Sequence, residues 1–416
     1  MAFTPVSGEE SVTVEEHVAR ILEAVEPLPP FDQPLLEAVG LPVTEQVTAE
    51  IDLPSFDNSA MDGYAVVTAD VAAASEERPV QLPVVGEVAA GQTKLFAMSP
   101  GTAVKIMTGA PVPSGADAVV PVEWTDGGSA SVRVAQPPRV GQHVRRRGED
   151  VTTGDLVLEE GTVIGPRHVG LLASLGRAQV RSRPRPRVVI MSTGAELREP
   201  GAKLANDAIY DSNSFMLASA VRREGAIAYR VGIVSDDPAE FADALSDQLV
   251  RADLVITSGG VSKGEYDVVK EVLGSEGSMW FGEVRMQPGK PQGFGHVGED
   301  RTPLFALPGN PVSSYVSFEL FVLPALRRLM GRTPYQRPVS LARSTTTFRS
   351  AYGKQQYVRA RWARSASGPT VTPVGGHGSH LLGGLAGADT LVVVPPDVDL
   401  VRDGQQVDVI RLDQEF

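Results

Sequence analysis

From residue 188 to residue 311 the sequence alternates short aliphatic runs with stretches of helical periodicity, and this alternation restricts the fold more than any other feature. Strand-type runs fall at 188–191, 229–234, 253–257 and 304–307; helical patterns lie at about 214–224, after Asp237-Pro238, near Val268 and after Pro311. Strands alternating with helices run parallel and are covered on both faces. Three of these strands lead straight into glycine turns: Ser192-Thr193-Gly194, Ser258-Gly259-Gly260 and Pro308-Gly309-Asn310-Pro311. In an open parallel sheet, ligands bind beyond the carboxyl ends of the strands, where glycine permits close backbone approach and helix N-termini offer unpaired N–H groups to anions. An anionic, phosphorylated ligand is therefore expected at Thr193, Gly194, Ser258, Gly259, Gly260, Pro308, Gly309 and Asn310.

A chain of 416 residues is too long for this one domain. Near the start, Thr13 and Glu16 have capping-box spacing, and Val14, Val18, Ile21 and Val25 share one helical face that ends before Pro27, Pro29 and Pro30. Residues 51–150 read as a β-rich domain, with runs at 64–67, 81–88 and 103–107 between glycine and proline turns. A short helix is expected to start at Pro166 and stop at Gly176. The tract 181–187 alternates arginine with proline and reads as a stiff connector. After Gly331 the β pattern returns, at 357–362 and 391–394. The fold class is thus multidomain α/β plus β: a central α/β domain with a mostly parallel sheet covered by helices, an inserted β-rich domain and a C-terminal β domain.

Composition removes several kinds of chemistry. There is no cysteine, so thiolate nucleophiles, disulfides and thiolate-bound zinc or iron–sulfur centres are excluded. A net charge of −13 disfavours nucleic acid as a partner. No segment approaches the roughly 18 apolar residues needed to span a bilayer, and the first ten residues lack a basic region followed by an apolar one. A cytoplasmic protein without a membrane partner is the expectation.

Carboxylates cluster near the glycine turns: Glu196 after the first, Asp236 and Asp237 after the 229–234 strand, and Glu265 with Asp267 after the second turn. Beside a phosphate site they repel the ligand unless a hard cation lies between, which implies Mg²⁺ on Glu196, Asp236, Asp237 and Asp267. Asp237 precedes Pro238 and is equally suited to capping a helix. Lys263 and Lys290 supply local positive charge. Gly260-Val-Ser262-Lys-Gly264 matches the nucleophile-elbow pattern, with His296, His377 or His380 as possible bases, but the glycine pair stretches the turn and no HGGG-type sequence accompanies it. Gly293-Phe-Gly295-His-Val-Gly298 matches the dinucleotide fingerprint in letters only, since Glu299 to Pro303 follow where a helix should begin.

A set of motifs points further. Ser59-Ala-Met-Asp-Gly-Tyr-Ala65, Lys105-Ile-Met-Thr-Gly-Ala-Pro-Val-Pro113, Arg147-Gly-Glu-Asp150, Ser192-Thr-Gly-Ala-Glu-Leu197, Ser258-Gly-Gly-Val-Ser-Lys-Gly-Glu-Tyr-Asp267, Pro288-Gly-Lys-Pro291 and Leu307-Pro-Gly-Asn-Pro-Val-Ser313 occur in this order, followed by Gly378-Ser-His and Ala388-Asp. Together they resemble the MoeA family, the molybdopterin molybdenumtransferases of molybdenum-cofactor biosynthesis, related to the C-terminal domain of gephyrin. The resemblance implies a homodimer with four parts: 1–50 plus 150–182 as a discontinuous domain, 51–149 inserted and β-rich, 183–335 α/β, and 336–416 barrel-like. It implies that adenylylated molybdopterin and molybdate, with Mg²⁺, give molybdenum cofactor and AMP.

Carried over by motif, Asp62, Thr108 and Asp150 join Glu196 and Lys290 as catalytic residues. Ser262, Lys263 and Ser379 join the substrate contacts, and Lys290 meets phosphate or molybdate oxygens. Alone, Asp62-Gly63 is a good turn and Asp150 a partner for Arg145 to Arg147. The sequence departs from the family at Glu283 and Gln287, which stand where many relatives have lysine, with Arg285 nearby as a substitute charge. Molybdopterin adenylyltransferase and a non-catalytic scaffold of the gephyrin type are the competing readings. A molybdoenzyme or an adenylyltransferase is the macromolecular partner to expect.

Overall fold

The computed structural model describes residues 11–91, 97–259, 268–274, 278–366 and 368–416. The chain forms two compact units, one of residues 34–37 and 45–180, the other of 1–33, 38–44 and 181–416.

The first unit is built on a five-stranded sheet in the order Ala118–Pro121, Gly63–Val66, Ala103–Ile106, Val80–Val88, Ser131–Val134. Tyr64 and Val66 point into one apolar cluster with Leu82, Val120 and Val132, while Ala65 joins Val104, Ile106 and Val119 in another. Successive strand residues face opposite sides, and here both sides are dry. Gly63 is required by this packing rather than by a turn: a Cβ there would lie 1.9 Å from the Val120 carbonyl oxygen. The helix Pro166–Ser174 starts on its proline and is followed by Gly176 at φ +80°.

The second unit holds a six-stranded sheet in the order Ile227–Val234, Arg187–Thr193, Leu254–Ser258, Thr302–Leu307, Pro291–Val297, Met279–Glu283. The first four strands are parallel, and Pro291–Val297 runs antiparallel to both of its neighbours. Val188 and Ile190 pack with Leu217 and Val221 of the helix Asn213–Arg223 and with the helical run that starts at Pro311. Val189 and Met191 pack on the other face against Phe241 and Leu245 of the helix Pro238–Leu249 and Val269 of the helix Val268–Gly274. The helix Val14–Ala24 carries the expected capping box and buries Val14, Val18 and Ile21 in the first of these clusters.

The antiparallel pair Met279–Glu283 and Pro291–Val297 escapes the sequence pattern because Gly293 and Gly295 break its apolar run. A Cβ at Gly293 would sit 2.7 Å from the Phe281 ring, and one at Gly295 would sit 2.1 Å from the Ser278 carbonyl oxygen. These glycines serve strand packing, and the letters of the dinucleotide fingerprint lie within a strand.

Beyond residue 335, the strands Gln355–Ser365, Gly368–Pro373, Val339–Ser344, Gln406–Arg411 and Thr390–Val394 pair in that order, and the last pairs back with the first. This closed five-stranded barrel leaves no free edge and encloses Val358, Ala360, Val371, Val392 and Val409. Gln287 lies in a two-residue strand beside Gln356 of the barrel wall. No helix among the described residues is long and apolar enough to cross a membrane.

Candidate active site

The glycine turns meet. Gly259 takes φ +99°, its N–H donates to the Leu307 carbonyl at 3.1 Å, and a Cβ on it would lie 3.0 Å from the Thr193 carbonyl oxygen. A Cβ on Gly309 would in turn be 3.7 Å from the Cα of Gly259. The ends of three neighbouring strands are therefore in contact, because each has given up a side chain there. Thr193, Ser258, Gly259, Gly309 and Asn310 line a cavity of about 370 Å³ with Glu196 at its rim.

Asn213, which the sequence reading overlooked, holds this floor together. Its Nδ2 donates to Ser258 Oγ at 2.8 Å and to the Gly309 carbonyl at 2.7 Å, and its Oδ1 is buried without a partner. Asp211, 1% exposed, fixes the start of the Asn213 helix by accepting from Ser214 N and Ser214 Oγ. The signal available in the sequence was Asp211-Ser-Asn213, three helix-start residues in a row.

The acidic residues take distinct places. Glu196 is exposed, with its carboxylate over Gly194, where a Cβ would meet both oxygens at 2.8 Å. Asp236 Oδ2 accepts from Ala195 N at 2.7 Å and so holds the same turn. Asp237 caps the helix Pro238–Leu249 through Oδ1, which accepts from Ala239 N and Glu240 N. Among the described residues no three of His, Asp and Glu stand close enough to hold a metal ion. Gly260, Ser262, Lys263, Glu265 and Asp267 lie outside the described residues, and with them the nucleophile-elbow serine.

Lys290 sits in a firmly built turn. Gln292, 2% exposed, donates to the Gly289 carbonyl and to Ser317 Oγ, both at 2.6 Å, and Val284 N donates to the Lys290 carbonyl at 2.8 Å. The Lys290 ammonium is 2.7 Å from Glu283 Oε2. Ser379 approaches from the C-terminal region: its carbonyl accepts from Val312 N at 3.0 Å, beside the Asn310-Pro311 turn, and His380 lines the cavity. Of the other histidines named with the hydrolase pattern, His377 lies 3.4 Å from Gln356, and His296 reaches the Ala24 carbonyl. His296 also lines a larger cavity of about 1000 Å³ near Arg187, Asp253 and Thr302, at the amino ends of the parallel strands. That cavity contains none of the glycine turns, and Arg187 there is paired with Asp253, so volume alone does not locate the chemistry.

In the first unit, Asp62 Oδ1 accepts from both Thr108 N and Thr108 Oγ1 at 2.7 Å, and these two bonds, the hydroxyl first, hold the Asp62 carboxyl below the usual carboxylate range. Asp150 is exposed and its backbone N–H donates to Leu53. The arginine run beside it uses other partners, Arg146 pairing with Asp57 and Arg147 with Asp52.

Comparison with known proteins bears on this arrangement. Molybdopterin molybdenumtransferase 2 of Mycobacterium tuberculosis is 46% identical over 403 residues, spanning 95% of this chain and 98% of that protein. The chain belongs to the MoeA family of molybdopterin molybdenumtransferases. Its residues 12–176 match the MoeA N-terminal region (domain I and II), 189–328 a probable molybdopterin binding domain and 342–412 the MoeA C-terminal region (domain IV). A second MoeA relative, the molybdopterin molybdenumtransferase of Haemophilus influenzae, is 36% identical over 378 residues, or 90% of this chain and 92% of that one. The solved structure of the molybdopterin biosynthesis MoeA protein from Pyrococcus horikoshii OT3 superposes with a TM-score of 0.73 at 28% identity, covering 97% of this chain and all of that one.

Proposed function

We propose that this chain inserts molybdate into adenylylated molybdopterin and releases AMP in a Mg²⁺-dependent reaction, as a cytoplasmic homodimer. The observation that carries the reading is the meeting of the turns at Thr193, Gly259 and Gly309 around one cavity, in a chain matched over 95% of its length by a molybdopterin molybdenumtransferase. A cavity lined by glycine and small polar side chains lets a phosphoanhydride approach the backbone closely, and its cleavage needs positioning and charge neutralisation more than a covalent nucleophile. Match over the regions on both sides of the α/β module favours insertion over adenylylation.

Within this reading, Ser258, Gly259, Gly309 and Asn310 cradle the nucleotide end, Asn213 keeps their turns in register, and Lys290 meets the oxyanion. Among the described residues the oxygens open to a hard cation are those of exposed Glu196 and the second oxygen of Asp236, whose first accepts from Ala195 N; Asp267, proposed as a further ligand, lies outside the described residues. Mg²⁺ bound there would supply the positive charge that a −13 chain must bring to a phosphorylated ligand. Asp62, Thr108 and Asp150 are proposed to serve the same reaction. The test is AMP release and cofactor formation by purified protein given adenylylated molybdopterin, molybdate and Mg²⁺. Absence of Mg²⁺-dependent AMP release would refute it.

A further inference from the structure

We infer that Glu283 is a built-in counter-anion for Lys290 and that it sets how tightly the site holds its oxyanion. This rests on the reading of Lys290 as an oxyanion contact.

Three observations lead to it. Pairing of Gly293 with Ala306 places the start of the strand Pro291–Val297, and hence Lys290, at the end of the neighbouring strand that runs into Pro308-Gly309-Asn310. Pairing of Glu283 with Pro291 brings Glu283 to that same edge, and its carboxylate lies 2.7 Å from the Lys290 ammonium. The turn itself is not free to adjust, since Gln292 bonds both the Gly289 carbonyl and Ser317 Oγ. Any exchange of partner therefore takes place in the two flexible side chains rather than in the turn.

The two side chains are 41% and 32% exposed, so the pair is solvated enough to open. A dianion arriving at Lys290 has to displace Glu283 or sit beside it, and either course weakens binding. The ligand this suits is an oxyanion with several acceptor oxygens. Opening the pair costs any such ligand the same free energy. Glu283 thus lowers the affinity of the site by a common factor.

The test is a calorimetric titration of sodium molybdate into wild type, Glu283→Gln, Lys290→Met and the double variant. Glu283→Gln should bind about fivefold tighter, which at 1.4 kcal/mol per factor of ten is about 1 kcal/mol, the upper end for a partly exposed pair. Lys290→Met should bind more weakly, and adding Glu283→Gln to it should give a clearly smaller gain than the same change gives in wild type. If Lys290→Met weakens binding while Glu283→Gln leaves it unchanged, the inference is overturned and Lys290 keeps its role. If Lys290→Met binds as wild type does, or no variant binds, both fall. An equal gain from Glu283→Gln with and without Lys290 would reduce Glu283 to a general charge effect and also overturn the inference.

Discussion

Lowering the pH should weaken the second unit through one residue, His17. Its imidazole is fully buried, with ring centroids 4.9 Å from Trp280 and 4.7 Å from Phe321, and neither ring nitrogen has a hydrogen-bond partner. Burial, with a contribution from the charge of Arg20, pushes the imidazole down to about 3. In the unfolded chain it titrates near 6.5. Between these values the unfolded chain binds a proton that the folded chain refuses, so stability is full above about pH 6.5 and falls as the pH is lowered toward 3. From pH 7.5 to pH 5.0 this one group should cost about 2 kcal/mol, from a linkage of 1.36 kcal/mol per unit acting over about 1.5 units. His17→Leu removes the titration and keeps an apolar side chain of similar bulk. Because two units need not unfold together, unfolding should be followed at Trp280, next to His17, with Trp124 and Trp362 replaced by phenylalanine. The parent should lose about 2 kcal/mol more than His17→Leu over this pH interval, other carboxylates and histidines cancelling in the difference. Equal losses would mean that the imidazole is hydrated or paired in solution and that the argument from burial fails.

Three further perturbations separate the roles of single residues. Asn213→Asp keeps the size of the side chain but turns an oxygen toward Ser258 Oγ and the Gly309 carbonyl; AMP release should fall at least as far as in Asn213→Ala, where two bonds worth about 0.5–1.5 kcal/mol each are lost. Asp62→Ala should depress AMP release with little change in melting temperature, and a matching loss of fold would reduce Asp62 to a turn residue. Asp237→Ala should lower stability by about 1 kcal/mol through loss of its cap while the Mg²⁺ concentration for half-maximal AMP release stays put; a large rise in that concentration would make Asp237 a metal ligand after all.

The parallel strands were legible as short apolar runs, three of them leading into glycine turns, and the helices because the caps Thr13 and Asp237 and the first-turn Pro166 mark their starts. What stayed hidden depends on pairing between distant residues. Gly293 and Gly295 look like a loop until Phe281 and Met279 are laid across them. Barrel closure depends on Gln356 to Ala360 meeting Thr390 to Val394, which no local pattern announces. At the site, glycine turns and carboxylates could be read as letters, but their uses could not. Asp236 bonds Ala195 N and Asp237 bonds its own helix, although the two are adjacent and chemically identical. Asn213 was missed because its partners lie 45 and 96 residues away.

The same distance effect governs how the cavity floor is kept rigid. The helix Asn213–Arg223 and the helical run from Pro311 both begin at the cavity, and both are clamped beyond it by one ionic group. Glu319 accepts from Arg223 Nη2 and Arg337 Nε, each at 2.6 Å, and Arg337 Nη2 reaches Glu224 at 2.9 Å. Glu319 lies in a π-helical turn, Phe318–Val322, where the helix widens. Its side chain is 1% exposed and that of Arg337 is 4% exposed, so charges here are tolerated only because each is matched. Removing one partner should cost about 3–5 kcal/mol, far more than the pair at Lys290, where water shares the load. The chain thus uses ion pairs in two ways. A buried one fixes the helices that carry Asn213 and Asn310, and a solvated one leaves Lys290 able to change partner. If that division holds, Glu319→Gln should lower melting temperature and AMP release together, whereas Glu283→Gln should move molybdate affinity alone.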